Sequence, residues 1–268
     1  SKMISLEKDL NEYERAKFNV PYACIDVRNV SSTEFLTDLF IEDSSHNIFW
    51  LDYVSPAEIG IQIADYATLL KKLNSGDIVR ITLNANVASL GKCNDPDKLQ
   101  TMRLEKLRER IPDEYFPTNI TPEDMTTAKY PLLLLKILKR IAVSCLEDNP
   151  PYSPNFMLPL FSSIYADGQQ MLTVTGIVLD SHELEQKVKE ILKGYPHNNF
   201  SWEKPCYIEI PPLSVREIME LNKLLPSDDA EQQLLKEFPF IFSAKEKKVI
   251  ESYITYYKYY PNYHHVNF

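Results

Sequence analysis

Apolar and polar positions alternate along this chain in a way that predicts strands and helices in turn. Lys2 to Leu6 is a short, mostly apolar stretch ending in Glu7-Lys8-Asp9, and a helical segment from Leu10 to Lys17 follows. A second apolar run, Pro21 to Val27, contains Asp26 at its end, and Ser31-Ser32-Thr33-Glu34 then opens a helix from Thr33 through Phe40 with a serine as its cap. The third run, Ile48-Phe49-Trp50-Leu51, is apolar on both faces, as a central parallel strand requires, and stops at Asp52. Pro56 begins a helix in which Ile59, Ile63, Tyr66, Leu69, Leu70 and Leu73 share one face before Asn74-Ser75-Gly76 ends it. Asp77 to Asn86 reads as a fourth strand. Strand and helix in tandem predict a parallel sheet with right-handed crossovers.

The stretch 87–128 is charged and broken by prolines, holds one helix near Lys98 to Arg110, and reads as an insertion over the sheet edge. Pro131 starts an apolar helix through Leu146. Asn155 to Ile164 and Met171 to Leu179 are strand-like and flank Asp167-Gly168, a pair that favours a tight hairpin turn. Leu158, Leu160, Val174 and Ile177 are the expected core residues of that hairpin. Beyond Ser181 the pattern is helical and proline-broken, with Leu213 to Leu224 and Ala244 to Tyr260 the clearest helices, the last rich in tyrosine. The expected organisation is an α/β domain over 1–180, a Rossmann-like and mostly parallel sheet ending in an antiparallel hairpin, followed by a smaller, mainly helical region over 181–268.

Composition narrows the function more than it names it. With 268 residues, 44% hydrophobic and 25% charged, the chain is long enough to bury a full core. A formal net charge of −9 argues against broad binding to phosphate backbones, so nucleic acid is an unpromising partner. Cys24, Cys93, Cys145 and Cys206 form no CxxC pair, and no apolar run reaches the length of a membrane span. A reducing, cytoplasmic setting is the expectation. His264-His265 has no carboxylate or cysteine at ligand spacing, and no metal site is expected.

A parallel α/β sheet closed by an antiparallel hairpin resembles the class I S-adenosylmethionine-dependent methyltransferases. Met3-Ile4-Ser5-Leu6-Glu7-Lys8-Asp9, Tyr13-Glu14-Arg15 with Phe18-Asn19, Trp50-Leu51-Asp52-Tyr53 and Tyr165-Ala166-Asp167-Gly168 resemble the bacterial putative O-methyltransferase family over residues 2 to 180. The resemblance implies S-adenosylmethionine as cofactor and an acceptor of unknown class. It also implies an opening strand and a glycine-rich turn ahead of Lys2, whereas Gly60, Gly76, Gly91, Gly168, Gly176 and Gly194 form no clustered loop. In that topology the opening strand lies between the strand ending at Glu7 and the strand ending at Asp52. The expectation is that these two strands either pair directly or are bridged by an upstream segment or a partner chain.

Glu7, at a strand end, is placed by the resemblance on the cofactor ribose; otherwise it is a solvated acid. Asp26 and Ser32 are the candidates for the adenine side, with helix capping the alternative for Ser32. Asp52 and Tyr53 lie at the carboxyl end of the most apolar strand, where open α/β sheets bind ligands, and are the catalytic candidates; Asp52 is also a cofactor candidate. The alternative for Asp52 is a helix-capping acid ahead of Pro56. Asn84 and Asn86 either bind substrate or close a turn. Two functions fit these residues, a methyltransferase and a non-catalytic Rossmann-like module that binds a partner protein or nucleotide.

Overall fold

In the computed structural model the described residues are 2–42, 45–147, 155–195, 197–208, 213–227, 229, 232, 233, 236 and 244–259. Two compact units divide the chain, Ser1–Cys206 and Tyr207–Phe268. The expected boundary near 180 compares with this division at Cys206, because the helix His182–Leu192 packs with the hairpin of the first unit.

The first unit begins with β1 (Met3–Leu6), α1 (Leu10–Phe18) and β2 (Ile25–Arg28), and the two strands pair in parallel with Met3 opposite Ile25 and Leu6 opposite Arg28. Asp9 caps α1 by accepting from the amides of Asn11 and Glu12. α2 (Ser32–Asp38) starts with a capping box: Ser31 accepts from the Glu34 amide while Glu34 accepts from the Ser31 amide. The cap is therefore Ser31, not Ser32. Then come β3 (Ile48–Asp52), α3 (Ile59–Leu70), β4 (Ile78–Asn84), α4 (Pro96–Arg108) and α5 (Tyr130–Ala142), the last continued by a π-type turn over Val143–Glu147.

The long hairpin is where expected. β5 (Phe156–Asp167) and β6 (Gln169–Leu179) are antiparallel, joined at Gly168, whose φ of 68° lies in the left-handed region that glycine enters without a steric penalty. Leu158, Leu160 and Val174 are buried and Ile177 is half-buried in the cluster around them. α6 (His182–Leu192) covers this cluster with Leu184, Val188 and Leu192.

The sheet differs from the expected single, mostly parallel one. Strands β1 and β2 form a sheet of their own, and the larger sheet runs β3-β4-β6-β5 with a three-residue strand, β7 (Cys206–Ile208), at its end. In it β3 and β4 are parallel, while β4 with β6 and β6 with β5 are antiparallel. The fold is thus mixed α/β. β1 and β3 do not pair directly, and β3 is an edge strand of its sheet rather than the central strand its apolar sequence suggested.

The core lies on one face of the larger sheet. Leu51, Val79, Ile81, Leu83, Val174 and Leu172 pack against Ile63, Tyr66 and Leu70 of α3 and Leu134, Leu138 and Ile141 of α5. At the amino ends of β3 and β4, the fully buried Asp77 accepts from the amides of Asn47 at 2.7 Å and Asn74 at 2.8 Å, which satisfies donors that would otherwise be orphaned. α2 is held on α3 by Lys72, whose ammonium donates to the carbonyls of Leu36, Thr37 and Leu39, a cation placed at the negative end of a helix.

The second unit is helical where it is described. α7 (Val215–Leu224) has a capping box of Ser214 and Glu217, and α8 (Ala244–Tyr256) packs on it through Leu221, Ile250 and Tyr253. Tyr253 donates to Asn222 at 2.7 Å. Tyr260 and His264-His265 lie outside the described residues.

Candidate functional site

The carboxyl ends of β1, β2 and β3 come to one side of the molecule. Lys8, just after β1, pairs with Glu58 at 3.6 Å on the turn after β3, and the hydroxyl of Tyr53, just after β3, lies 3.4 Å from that of Ser32, just after β2. Glu7, Ser32 and Asp52 therefore stand along the same edge, where an α/β sheet exposes backbone ends and free polar groups to a ligand.

Glu7 is half-buried. Its amide donates to the Arg28 carbonyl, and its Oε1 accepts from the Asp9 amide at 3.0 Å, which leaves Oε2 for a ligand. Asn29 ties the same turn down by donating to the carbonyls of Glu7 and Lys8. The Glu7 carboxylate is thus oriented by its own loop rather than left to wave in solvent.

Asp26 has a different place from the one expected. It is the second residue of β2, opposite Ile4, and not its end; Arg28 closes the strand. Arg28 donates to the Asp26 carboxylate through Nε and a terminal nitrogen, and Lys2 adds an ion pair at 3.3 Å. These partners, the Arg28 hydrogen bond first, hold the carboxyl below the usual aspartate range.

Ser32 and Tyr53 converge on a residue that the sequence reading passed over. Asp65, buried within α3, accepts at Oδ2 from Ser32 at 2.6 Å and from Tyr53 at 2.7 Å. This carboxylate joins the start of α2, the end of β3 and α3. Burial pushes the Tyr53 phenol far above its ordinary value, with the Asp65 charge adding to the rise, so the hydroxyl is a fixed donor and not a base at neutral pH. Its signal in the sequence was slight: Gln62 and Asp65 are the polar positions on a helix face otherwise filled by Ile59, Ile63, Tyr66 and Leu69. Gln62 donates to the Ser55 carbonyl and secures the turn that carries the site.

Asp52 is exposed and its side chain makes no hydrogen bond, so it does not cap the helical turn at Pro56–Glu58, whose own cap position, Ser55, makes no side-chain bond either. Asp52 is a free carboxylate beside the anchored Tyr53. Asn84 and Asn86 are used by their loop: Asn84 accepts from the Asn86 amide, and Asn86 caps Val87–Leu90 through the Ala88 amide. That is the turn-closing alternative. No group of three or more potential metal ligands occurs among the described residues, and no described helix is long and apolar enough to cross a membrane.

The sequence model of one protein family, described as Putative O-methyltransferase, matches residues 1–268, the whole chain. The chain belongs to this family. Its membership extends the likeness read from residues 2 to 180 through the second unit, so the helices α7 and α8 belong to the methyltransferase family pattern too. No curated protein matches the sequence. Within this methyltransferase, Asp52 has both carboxylate oxygens free and Glu7 has one, while Asp26 and Asp65 are held by side-chain partners.

Proposed function

We propose that the chain binds S-adenosylmethionine at the carboxyl ends of β1 and β3 and transfers its methyl group to an acceptor held beside Asp52. The observation that carries this reading is the half-buried Glu7 carboxylate, oriented by the Asp9 amide with one oxygen left free, in a chain whose whole length matches a methyltransferase family. A carboxylate so placed suits the paired hydroxyls of a ribose, which donate two hydrogen bonds to one acid. The donor set therefore fits a nucleoside. Ser32, following β2 on the same side, stands nearest the adenine, while Asp26 is occupied by Arg28 and Lys2.

The cofactor supplies an electrophilic methyl group on a sulfonium; the protein supplies alignment and a dry site. Asp52, exposed and unbonded, orients the acceptor or takes its proton. Tyr53 is a positioning residue, since its hydroxyl is committed to Asp65 and fixes the backbone that carries Asp52. In this reading the fold is a class I, Rossmann-like methyltransferase, supported by parallel pairs β1-β2 and β3-β4 followed by the antiparallel β5-β6 hairpin. A cytoplasmic location goes with it.

Calorimetric titration with S-adenosylmethionine tests the reading. Saturable binding that weakens by roughly 1–3 kcal/mol in Glu7→Ala, with Asp52→Asn lowering turnover more than affinity, is the expected result. No heat of binding to the folded protein would reject it.

A further inference from the structure

The stretch between β4 and α5 carries a basic row that faces the loops of the site. Arg103 and Lys106 lie on one face of α4, and Arg110 follows its end at the same helical spacing; all three are half-buried. Each reaches a loop that follows a strand of the site. Arg103 donates through Nε to the Gly91 carbonyl at 3.2 Å, beyond β4, and Arg110 donates to the Pro56 carbonyl at 3.1 Å, beyond β3 and Asp52. Lys106 leans on the same glycine as Arg103: a methyl group added at Gly91 would lie 2.7 Å from its Nζ. Packing fixes the row in this place. Leu104 and Leu107 of α4 are buried in the core, and a side chain at Gly60, near the start of α3, would collide with the Arg110 carbonyl oxygen.

The charges of this row are not answered within the chain. Lys98 and Arg108, the other bases of α4, pair with Asp95 and Asp113, but among the described residues no carboxylate pairs with Arg103, Lys106 or Arg110. Like charges three residues apart on a helix repel, and here both are drawn to one glycine. A bond to a carbonyl leaves the guanidinium charge whole and most of its donors unused. In a chain of net charge −9, a local excess of this kind is a binding feature and not a general attraction to anions. We propose that Arg103, Lys106 and Arg110 form an oxyanion subsite for the methyl acceptor, which is a small hydroxyl compound carrying a carboxylate or phosphate group. The proposal rests on the methyl-transfer reading and names the acceptor class which that reading leaves open. The acceptor hydroxyl faces Asp52, and its anionic group is held by the row at the loops after β3 and β4, where guanidinium forks match an oxyanion. Exposed Glu105 and Glu109 interrupt the row and repel a long polyanion, so the ligand is small.

Titration of the protein with inorganic phosphate and with acetate, at constant ionic strength and followed by the backbone amide shifts of Gly91, Lys92 and Lys106, tests the subsite. Saturable shifts with a Kd of ~1–10 mM are expected for at least one anion, and they persist with saturating S-adenosylmethionine. The anion that saturates first identifies the acceptor's charged group. Lys106→Gln, with folding checked by a thermal melt, should weaken that anion at least ~10-fold, whereas Lys98→Gln should leave its affinity unchanged. No saturable shift at these amides with either anion, or equal shifts in wild type and Lys106→Gln, would overturn the proposal. Competition between the anion and S-adenosylmethionine would give the row to the cofactor's own carboxylate and contradict the acceptor assignment. Failure of S-adenosylmethionine to bind would reject the methyl-transfer reading by itself, while the phosphate and acetate titrations alone decide the anion site.

Discussion

β3 and β4 are neighbours that each carry four large apolar residues, and their fates are opposite. Val79, Ile81 and Leu83 of β4 are fully buried and Thr82 nearly so, because β4 has partners on both sides and α3 and α5 on its core face. β3 has a partner on one side only, and of its five residues Leu51 alone is buried. The difference lies in topology rather than composition. An apolar run states that a strand is meant for burial on both faces; it does not state which other segment does the burying.

The contrast should appear first in stability. Ile81→Ala removes a fully buried side chain between helices and sheet and should cost about 2–5 kcal/mol in denaturant unfolding. Ile48→Ala, one strand away, should change the stability of residues 1–268 by less than ~0.5 kcal/mol. A large loss from Ile48→Ala would mean that β3 is covered in solution.

Asp65→Ala should cost about 1–3 kcal/mol, because it orphans the Ser32 and Tyr53 hydroxyls that link the two sheets' ends. Tyr53→Phe should cost less, and a double-mutant cycle between the two should show coupling. Additive losses would separate Tyr53 from Asp65.

Alkaline pH should act on the closed region. Burial raises the phenols of Tyr66 and Tyr130 well above their ordinary value, and that of Tyr115 to about 12. A group whose folded value is raised contributes stability that is complete below its unfolded value and is lost as pH rises through the folded one. Stability should therefore hold below pH ~10 and fall above it, which a pH series of urea melts would read. A flat series up to pH ~12 would show that these rings are not sequestered.

Much of this was readable in the chain. The hairpin followed from two apolar runs flanking Asp167-Gly168, because a turn that needs positive φ leaves a residue signature. The helices of the first 150 residues followed from apolar spacing and caps. What could not be read was which strands touch: β1-β2 and β3-β4 pair within their own sheets, and nothing in Ile48-Phe49-Trp50-Leu51 says that its far edge is open. At the site, Glu7 and Asp52 were visible as acids at strand ends. Asp26 was misplaced because the strand runs on past the apolar stretch to the charged Arg28, and Ser32 traded capping for Asp65 because two serines stood side by side and Ser31 holds the cap position. Asp65 itself was hidden inside a helix whose periodicity pointed only to packing.

The site's free and bound carboxylates make the sharpest pair. Titration of S-adenosylmethionine into the wild-type protein, Glu7→Ala and Asp26→Ala, with folding checked by thermal melts, reads them directly. The account predicts saturable binding to the wild type, a loss of roughly 1–3 kcal/mol in Glu7→Ala, and affinity within ~0.5 kcal/mol of wild type in Asp26→Ala. Equal affinity of wild type and Glu7→Ala, or no binding by any folded form, would contradict it.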